Sequence, residues 1–462
     1  MKIAFFSEAY EPGRDGVSDV TYVLAKELSK KGHKVTIVAP WDNSEVIKKD
    51  GYKLVRVKGH SIKLYDDMRV CLKNPDYLET LEDFSSYDLI HLQSPATIAS
   101  LGFFIALKHN IPLSCTYHTD IANFVGSFFE KDVFINQENP MYKFMGNKKF
   151  VLTLGKKILT QITWGILRNF HNAVPSTTSP SRFSKQQLRE AGVRNPIFVI
   201  NNPINPKLSK KNYSKKYDLK DKFVILHVGR LSVEKRVNIL IESIAKLKKE
   251  CPNVLGVITS KGPLANHYKK LAKKMGVEKN IIFTGHINKD ELNWFYEKCD
   301  LFSAFGLFET FNICATQALF YGKPLILSDA GPHNELIEDN GYLIKVNSEE
   351  INNFSEKVKL VYSNPKLCKE LGENSKNLWK KYDYNDSIAK HEEYFAKSIE
   401  NNKVSNKNYF NFIKYLSKLS IAINSLLFSL SLKIDEFDKL NQKFDSFFAG
   451  INKSSGKLKK YF

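Results

Sequence analysis

Short apolar runs alternate along most of the chain with stretches in which apolar residues recur every three or four positions. Residues 2–7 (KIAFFS) read as a buried strand. Val20, Val23, Leu24 and Leu28 then share one face of a helix over 18–31, which Gly32 stops, and residues 33–40 (HKVTIVAP) read as the next strand. Further strand-like runs fall at 88–93, 112–117, 223–228, 253–260, 281–285, 300–305 and 324–328. Helical patterns fall at 97–108, 181–192, 237–248, 290–299 and near 387–400. Strands that alternate with helices in this way predict an α/β chain with parallel sheets. The pattern restarts near Lys222 after a Pro- and Asn-rich linker at 201–206, so two Rossmann-like halves are expected.

Two segments break the alternation. Residues 130–173 are rich in Lys, Asn and aromatics, with Leu152, Ile158, Leu159, Ile162, Ile166 and Leu167 at helical spacings. Lys148, Lys149, Lys156, Lys157, Arg168 and Trp164 lie among them. Such a helix lies on an anionic membrane surface, or packs on a core with its basic flank in water. From Phe412 through Leu416, Leu419, Ile423, Leu426, Leu430, Ile434, Phe437, Leu440, Phe444 and Phe447 to Ile451, apolar residues recur every three or four positions. Residues 421–432 there carry no charge. Over 401–462, eleven lysines face four acids, a net +7. This tail reads as a docked or coiled-coil helix pair, a route to self-association, or as an interfacial anchor; its phenylalanines favour the anchor.

Composition narrows the partners. A chain of 462 residues exceeds the roughly 250–300 residues at which single cores stop growing. The formal charge of +20 suits an anionic partner. The basic residues do not interleave with aromatics along strands, which argues against nucleic acid. Cys71, Cys115, Cys251, Cys299, Cys314 and Cys368 are scattered without zinc-ligand or Cys-x-x-Cys spacing, so a reduced, cytoplasmic compartment is expected. No signal peptide is apparent, and no apolar run reaches the roughly 18–20 residues of a membrane span.

The chemistry gathers at residues 306–337 (GLFETFNICATQALFYGKPLILSDAGPHNELI). The strand at 300–305 enters a loop that carries Glu309 to a helix starting near Phe311, at the carboxyl edge of a parallel sheet. A helix start there favours an anion, so a carboxylate beside it needs neutral hydroxyls to bind. A nucleotide sugar offers both, a diphosphate for the helix and hydroxyls for Glu309. His118 likewise follows a strand, where catalytic groups of doubly wound sheets lie. Gly16 lets backbone approach a bound group at the start of the first helix.

This stretch resembles the E-x7-E signature of the family-4 retaining glycosyltransferases, whose GT-B fold sets two Rossmann-like domains facing across a cleft. In that family the first Glu contacts the donor sugar and the second holds the ribose hydroxyls. The second position here is Gln317, which still hydrogen-bonds a diol but without charge assistance. Residues 229–235 (GRLSVEK) match the family's G-R-L-x-x-E-K at each fixed position, and Gly331 with Glu335 matches a Gly-x-x-x-Glu turn. Lys261-Gly262-Pro263 matches the end of a family Gly-x-Gly-Pro, with Ser260 in place of its first glycine.

The resemblance covers about residues 1–400 and implies roles. Arg230 and Lys235 neutralise the leaving diphosphate with the helix start at Phe311 and Asn312, and backbone near Ile287 meets the base. Glu309 holds the sugar, and His118 touches it from the other domain. Asp15 stands where many members have glycine; it orients an acceptor hydroxyl or merely shapes the turn. Asp120 is a second acceptor candidate. The expected domains are 1–200 for the acceptor, 201–385 for the nucleotide sugar, a crossover helix at 386–400 and the basic amphipathic tail at 401–462. The implied activity is retaining transfer of a hexose, glucose foremost, from a UDP-sugar ahead of a GDP-sugar to a membrane lipid such as diacylglycerol. Segments 140–170 and 409–460 would touch an anionic lipid surface at the cytoplasmic face. No Asp-x-Asp triplet signals a metal, and no cofactor is expected. The competing readings are a glycosyltransferase of surface polysaccharide or glycan assembly, and a binding protein with the same cleft.

Overall fold

The computed structural model of the chain describes residues 1–10, 16–49, 51–62, 65–71, 73–123 and 149–429. The chain divides into two compact units: unit 1 holds residues 1–203 and 385–462, and unit 2 holds 204–384.

Unit 1 opens with β1 (Lys2–Phe6), α1 (Gly16–Lys30) and β2 (Lys34–Trp41), followed by β3 (Glu45–Lys49), β4 (Tyr52–Lys58) and a hairpin of β5 (His60–Ile62) and β6 (Tyr65–Val70). A short α2 (Pro75–Glu79) leads to β7 (Leu89–Leu92), α3 (Thr97–His109) and β8 (Leu113–Thr116). Beyond come α4 (Lys149–Ala173), β9 (Thr177–Ser179), α5 (Arg182–Glu190) and β10 (Ile197–Val199). The sheet order is β10-β9-β8-β7-β1-β2-β4-β3, parallel except where β3 closes the edge against β4. β1, β7 and β8 are buried nearly throughout, as strands covered on both faces must be.

Helix α3 is apolar around its circumference, and residues 97–107 are all buried. Such a helix needs cover on every side. One side sits against the sheet so closely that a Cβ on Gly102 would fall 2.6 Å from the Phe6 ring. The other is covered from the far end of the chain. Helix α12 (Tyr384–Asn401) returns to unit 1, and α13 (Asn406–Ser429) lies along α3 and α4. Phe412 stacks on Phe103 with ring centroids 4.0 Å apart, and Tyr415 and Leu416 are buried beside Phe170. Asn408 and Asn411 donate to the carbonyls of Ala173 and Asn172 at the end of α4. Over this half of the tail the docked form holds in place of the favoured anchor, because Phe412 and Leu416 fill the groove left by α3. Residues 430–462 and 124–148 lie outside the described residues.

Unit 2 runs β11 (Phe223–Val228), α6 (Asn238–Leu247), β12 (Val254–Thr259), α7 (Ala265–Lys274), β13 (Ile281–Gly285), α8 (Lys289–Lys298), β14 (Leu301–Ala304), α9 (Ile313–Phe320), β15 (Leu325–Ser328), β16 (Gly341–Ile344), α10 (Glu350–Tyr362) and α11 (Pro365–Trp379). Its sheet is parallel throughout, in the order β13-β12-β11-β14-β15-β16. The order reverses between β11 and β14. At such a switch point the loops leaving two neighbouring strands turn to opposite faces and leave a crevice at the carboxyl edge.

Candidate active site

The two loops at the unit 2 switch point carry the charged residues singled out in the sequence. After β11 the chain makes a turn at 229–232 and a short 3-10 segment, Val233–Lys235. After β14 it makes the loop that holds Glu309. The Leu307 amide donates to the Glu234 carbonyl, tying the loops together. The Lys235 ammonium donates to Glu309 Oε1 in a partly buried ion pair. Arg230 lies in the same turn, half-buried.

Burial alone would raise the Glu309 carboxyl, but the Lys235 charge and hydrogen bond outweigh it and hold the group below its ordinary value. Burial likewise works against the Lys235 charge, and Glu309 reverses that and raises the ammonium. His227, on β11, is pushed down to about 4 by burial and then by Lys235. Its Nδ1–H donates to the Ser303 carbonyl at 3.1 Å, and its Nε2 has no hydrogen-bond partner. A neutral imidazole therefore sits beside the pair and adds no competing cation.

Three small-residue positions shape the loops. A Cβ on Gly306 would fall 2.6 Å from Glu309 Oε1, so the carboxylate lies over bare backbone. A Cβ on Gly262 would fall 2.3 Å from the Leu231 carbonyl oxygen, which only glycine permits. That closeness lets the 260–264 turn close on the 229–232 turn, with Leu231 N–H to Lys261 O and Leu264 N–H to Leu231 O, both at 2.9 Å. Ser260, where the family pattern has glycine, keeps a φ of 101°.

Helix α9 starts at Ile313, two residues later than the sequence suggests. Asn312 is its N-cap, at a φ of 59°, and its Oδ1 accepts from the Ala315 amide. The Phe311 ring is buried near Tyr382, so this residue offers backbone, not a ring face. Gln317 is half-buried on α9 and donates weakly to Asn293 Oδ1 of α8 at 3.4 Å. Ile287 follows β13 and packs partly into the core.

In unit 1 the switch point lies between β1 and β7. His118, two residues after β8, shares a 2.5 Å hydrogen bond between its Nε2 and Gln93 Oε1. Burial, then the nearby His391 of α12, pushes its pKa down to about 3. Gln93 is fully buried at the end of β7, and sequence reasoning missed it, although its place after a strand could have drawn notice. Glu8, after β1, was missed too. Its carboxylate accepts from the Ile98 amide and Thr97 Oγ1 at the start of α3, and burial pushes it up to about 7. Asp120 is buried and already accepts from the Asn123 amide and side chain and from Gln187 Nε2. These bonds order the turn after His118. Gly16 is exposed as the first residue of α1, and Asp15 lies outside the described residues.

The chain is similar to known proteins along most of its length. The profile described as "Glycosyltransferase Family 4" matches residues 14–208, and "Glycosyl transferases group 1" matches 209–378. An alpha-monoglucosyldiacylglycerol synthase of Acholeplasma laidlawii is 25% identical over 433 residues, 88% of this chain and 100% of that one. The enzyme of the same name from Streptococcus pneumoniae is 25% identical over 351 residues, 73% of this chain and 74% of that one. A GDP-mannose-dependent alpha-mannosyltransferase of Corynebacterium glutamicum is 28% identical over 357 residues, 75% and 77% of the two chains. Among solved structures, Anabaena HepE in complex with UDP and glucose superposes with a TM-score of 0.63 at 17% identity, covering 86% of this chain and 100% of that one. Sucrose-phosphate synthase from Thermosynechococcus elongatus gives 0.64 at 16% identity, covering 86% and 98%. With two parallel-sheet units and family models that match residues 14–208 and 209–378, the chain belongs to the family-4 glycosyltransferases of the GT-B fold.

Proposed function

We propose that this glycosyltransferase moves glucose from UDP-glucose to a membrane lipid, diacylglycerol foremost, with retention of the α configuration. The observation that carries the reading is the Lys235–Glu309 pair at the unit 2 switch point. When the bond from the sugar C1 to the diphosphate breaks, its electron pair stays on the phosphate oxygen. In this reading Lys235, Arg230 and the amides at the start of α9 stabilise that charge. Glu309 then grips sugar hydroxyls, His118 is the further group assigned to the sugar, and the acceptor oxygen bonds C1 while its proton leaves with the phosphate. The residues of this chain supply the countercharge without a metal.

A lipid acceptor is supported by the two diacylglycerol-modifying relatives and by α4. Ile158 and Ile162 are exposed on that helix, with Lys157 exposed beside Ile158. Such a face lies on an anionic surface with its lysines on phosphates. Among the described residues no helix is long and apolar enough to cross a membrane. The proposed attachment is peripheral, at the cytoplasmic face. The test offers the full-length protein radiolabelled UDP-glucose or GDP-mannose, with phosphatidylglycerol vesicles that contain diacylglycerol. Label moving from UDP-glucose into an α-linked glucolipid is expected. Label that enters only from GDP-mannose, or never enters lipid, overturns the assignment.

A further inference from the structure

A buried polar chain runs through unit 2 behind the Lys235–Glu309 pair. It begins at Arg236, the residue after Lys235, whose guanidinium holds both oxygens of Glu350 on α10. Glu350 also accepts from Ser328 Oγ at 2.6 Å. The carbonyl of Ser328 takes a 2.7 Å hydrogen bond from His333 Nδ1. His333 Nε2 and Asn312 Nδ2 are 2.7 Å apart, and Asn312 Oδ1 accepts from the Ala315 amide at 3.0 Å. Glu350, Ser328, His333 and Asn312 are all buried.

The partners fix every proton. A carbonyl only accepts, so His333 Nδ1 carries the hydrogen and Nε2 is a bare acceptor. Asn312 must then turn its amide nitrogen to His333 and its oxygen to Ala315. Turned the other way, its oxygen would face a lone pair and its nitrogen would face an N–H, so both contacts would be lost. A non-glycine residue at a φ of 59° is thereby held in place by its own side chain. The turn that carries His333, Gly331–Glu335, also runs close to the backbone of residue 309: a Cβ on Gly331 would fall 3.1 Å from the Glu309 carbonyl oxygen.

We propose that His333 is a positioning residue of the donor site, which acts through Asn312 to fix the start of α9 and the Glu309 loop before it. This rests on the reading of Glu309 and the α9 amides as the groups that hold the donor. A leucine of similar bulk could fill the space but could not accept from Asn312 on one side and donate to Ser328 on the other.

The test is a double-mutant cycle on the full chain with His333→Leu, Asn312→Gly and the pair, read as dissociation constants for UDP-glucose. His333→Leu should weaken binding on the order of tenfold, the size of a lost cap. Asn312→Gly, which keeps the positive φ without strain, should cost about two- to threefold. The double variant should match Asn312→Gly alone, and losses that multiply would overturn the proposal. Amide exchange at Ala315 needs no donor and separates the two readings. His333→Leu should speed it about tenfold, the same lost cap seen without ligand. Unchanged exchange overturns the proposal even if UDP-glucose binds, whereas faster exchange in a protein that ignores UDP-glucose upholds it and rejects only the donor reading.

Discussion

The Lys235 ammonium hydrogen-bonds the Glu309 carboxylate although the residues lie 74 positions apart in the chain. The pairing follows from topology: β11 and β14 are neighbours, and their loops leave the sheet at the switch point. Each partner keeps the other charged while both are partly buried. Replacing Glu309 by Gln should therefore lower turnover on the order of 10²–10³-fold, as for other preorganised polar groups. A radiolabelled transfer assay checks this, and near-normal turnover would remove Glu309 from the chemistry.

Lys235→Ala should do more than remove a cation. Glu309 is held low chiefly by Lys235 against its own burial. Without the lysine, burial dominates and the carboxyl rises above its ordinary value. The acid limb of the rate profile should then move to higher pH in the variant. An unmoved limb would show that the two groups do not share one environment in the working enzyme.

The contact between Gln93 and His118 gives a prediction of its own. A neutral amide leaves His118 neutral, with burial pushing it down to about 3. Gln93→Glu places an anion 2.5 Å away in a buried site and should raise the imidazole strongly. The variant should gain a titration near neutral pH in its rate profile, absent from the parent. Gln93→Leu should lower turnover without creating that titration.

Acid should destabilise both units. His171 is pushed down to about 3, and His227 and His391 to about 4, each chiefly by burial. In the unfolded chain these groups titrate near 6.5, so between 6.5 and 4 the unfolded state binds more protons. Stability is then full above 6.5 and lost as pH falls through that window. Glu8 acts in the opposite sense, since its raised value of about 7 favours the folded state at low pH and loses that advantage as pH rises from 4.5 to 7. With these three histidines and His118, likewise pushed down to about 3, set against Glu8, the urea midpoint should fall between pH 7 and 5, and His227→Asn should flatten the slope.

The tail helix should prove structural. Phe412→Ala removes a fully buried ring stacked on Phe103 and should cost about 3–5 kcal/mol, readable in urea melts of the full chain. Truncation after Glu400 should leave unit 1 prone to aggregate. A stable, fully active protein ending at Glu400 would refute the docking described here.

Much of this was legible in the sequence. Strand positions held to within one or two residues because buried parallel strands are short apolar runs, and the 229–235 and 306–317 patterns mark the two loops that meet at the unit 2 switch point. The excursion at β3 to β6 did not show, since β3 is largely exposed and lacks an apolar signature. The tail was ambiguous because a periodic apolar face suits a bilayer as well as a groove, and the groove is set by α3, three hundred residues earlier. Gln93 and His333 were invisible because their partners stand 25 and 21 positions away, brought near only by strand order.

Unit 1 is assembled from both ends of the chain, with unit 2 inserted between them. On a ribosome, α3 emerges long before the Phe412 ring that caps it. At about 5–20 residues per second, that wait lasts roughly 15–60 s. Unit 2, continuous in the chain, can mature first, while the nascent N-terminal half carries an uncovered greasy helix that a chaperone must shield until translation is nearly done.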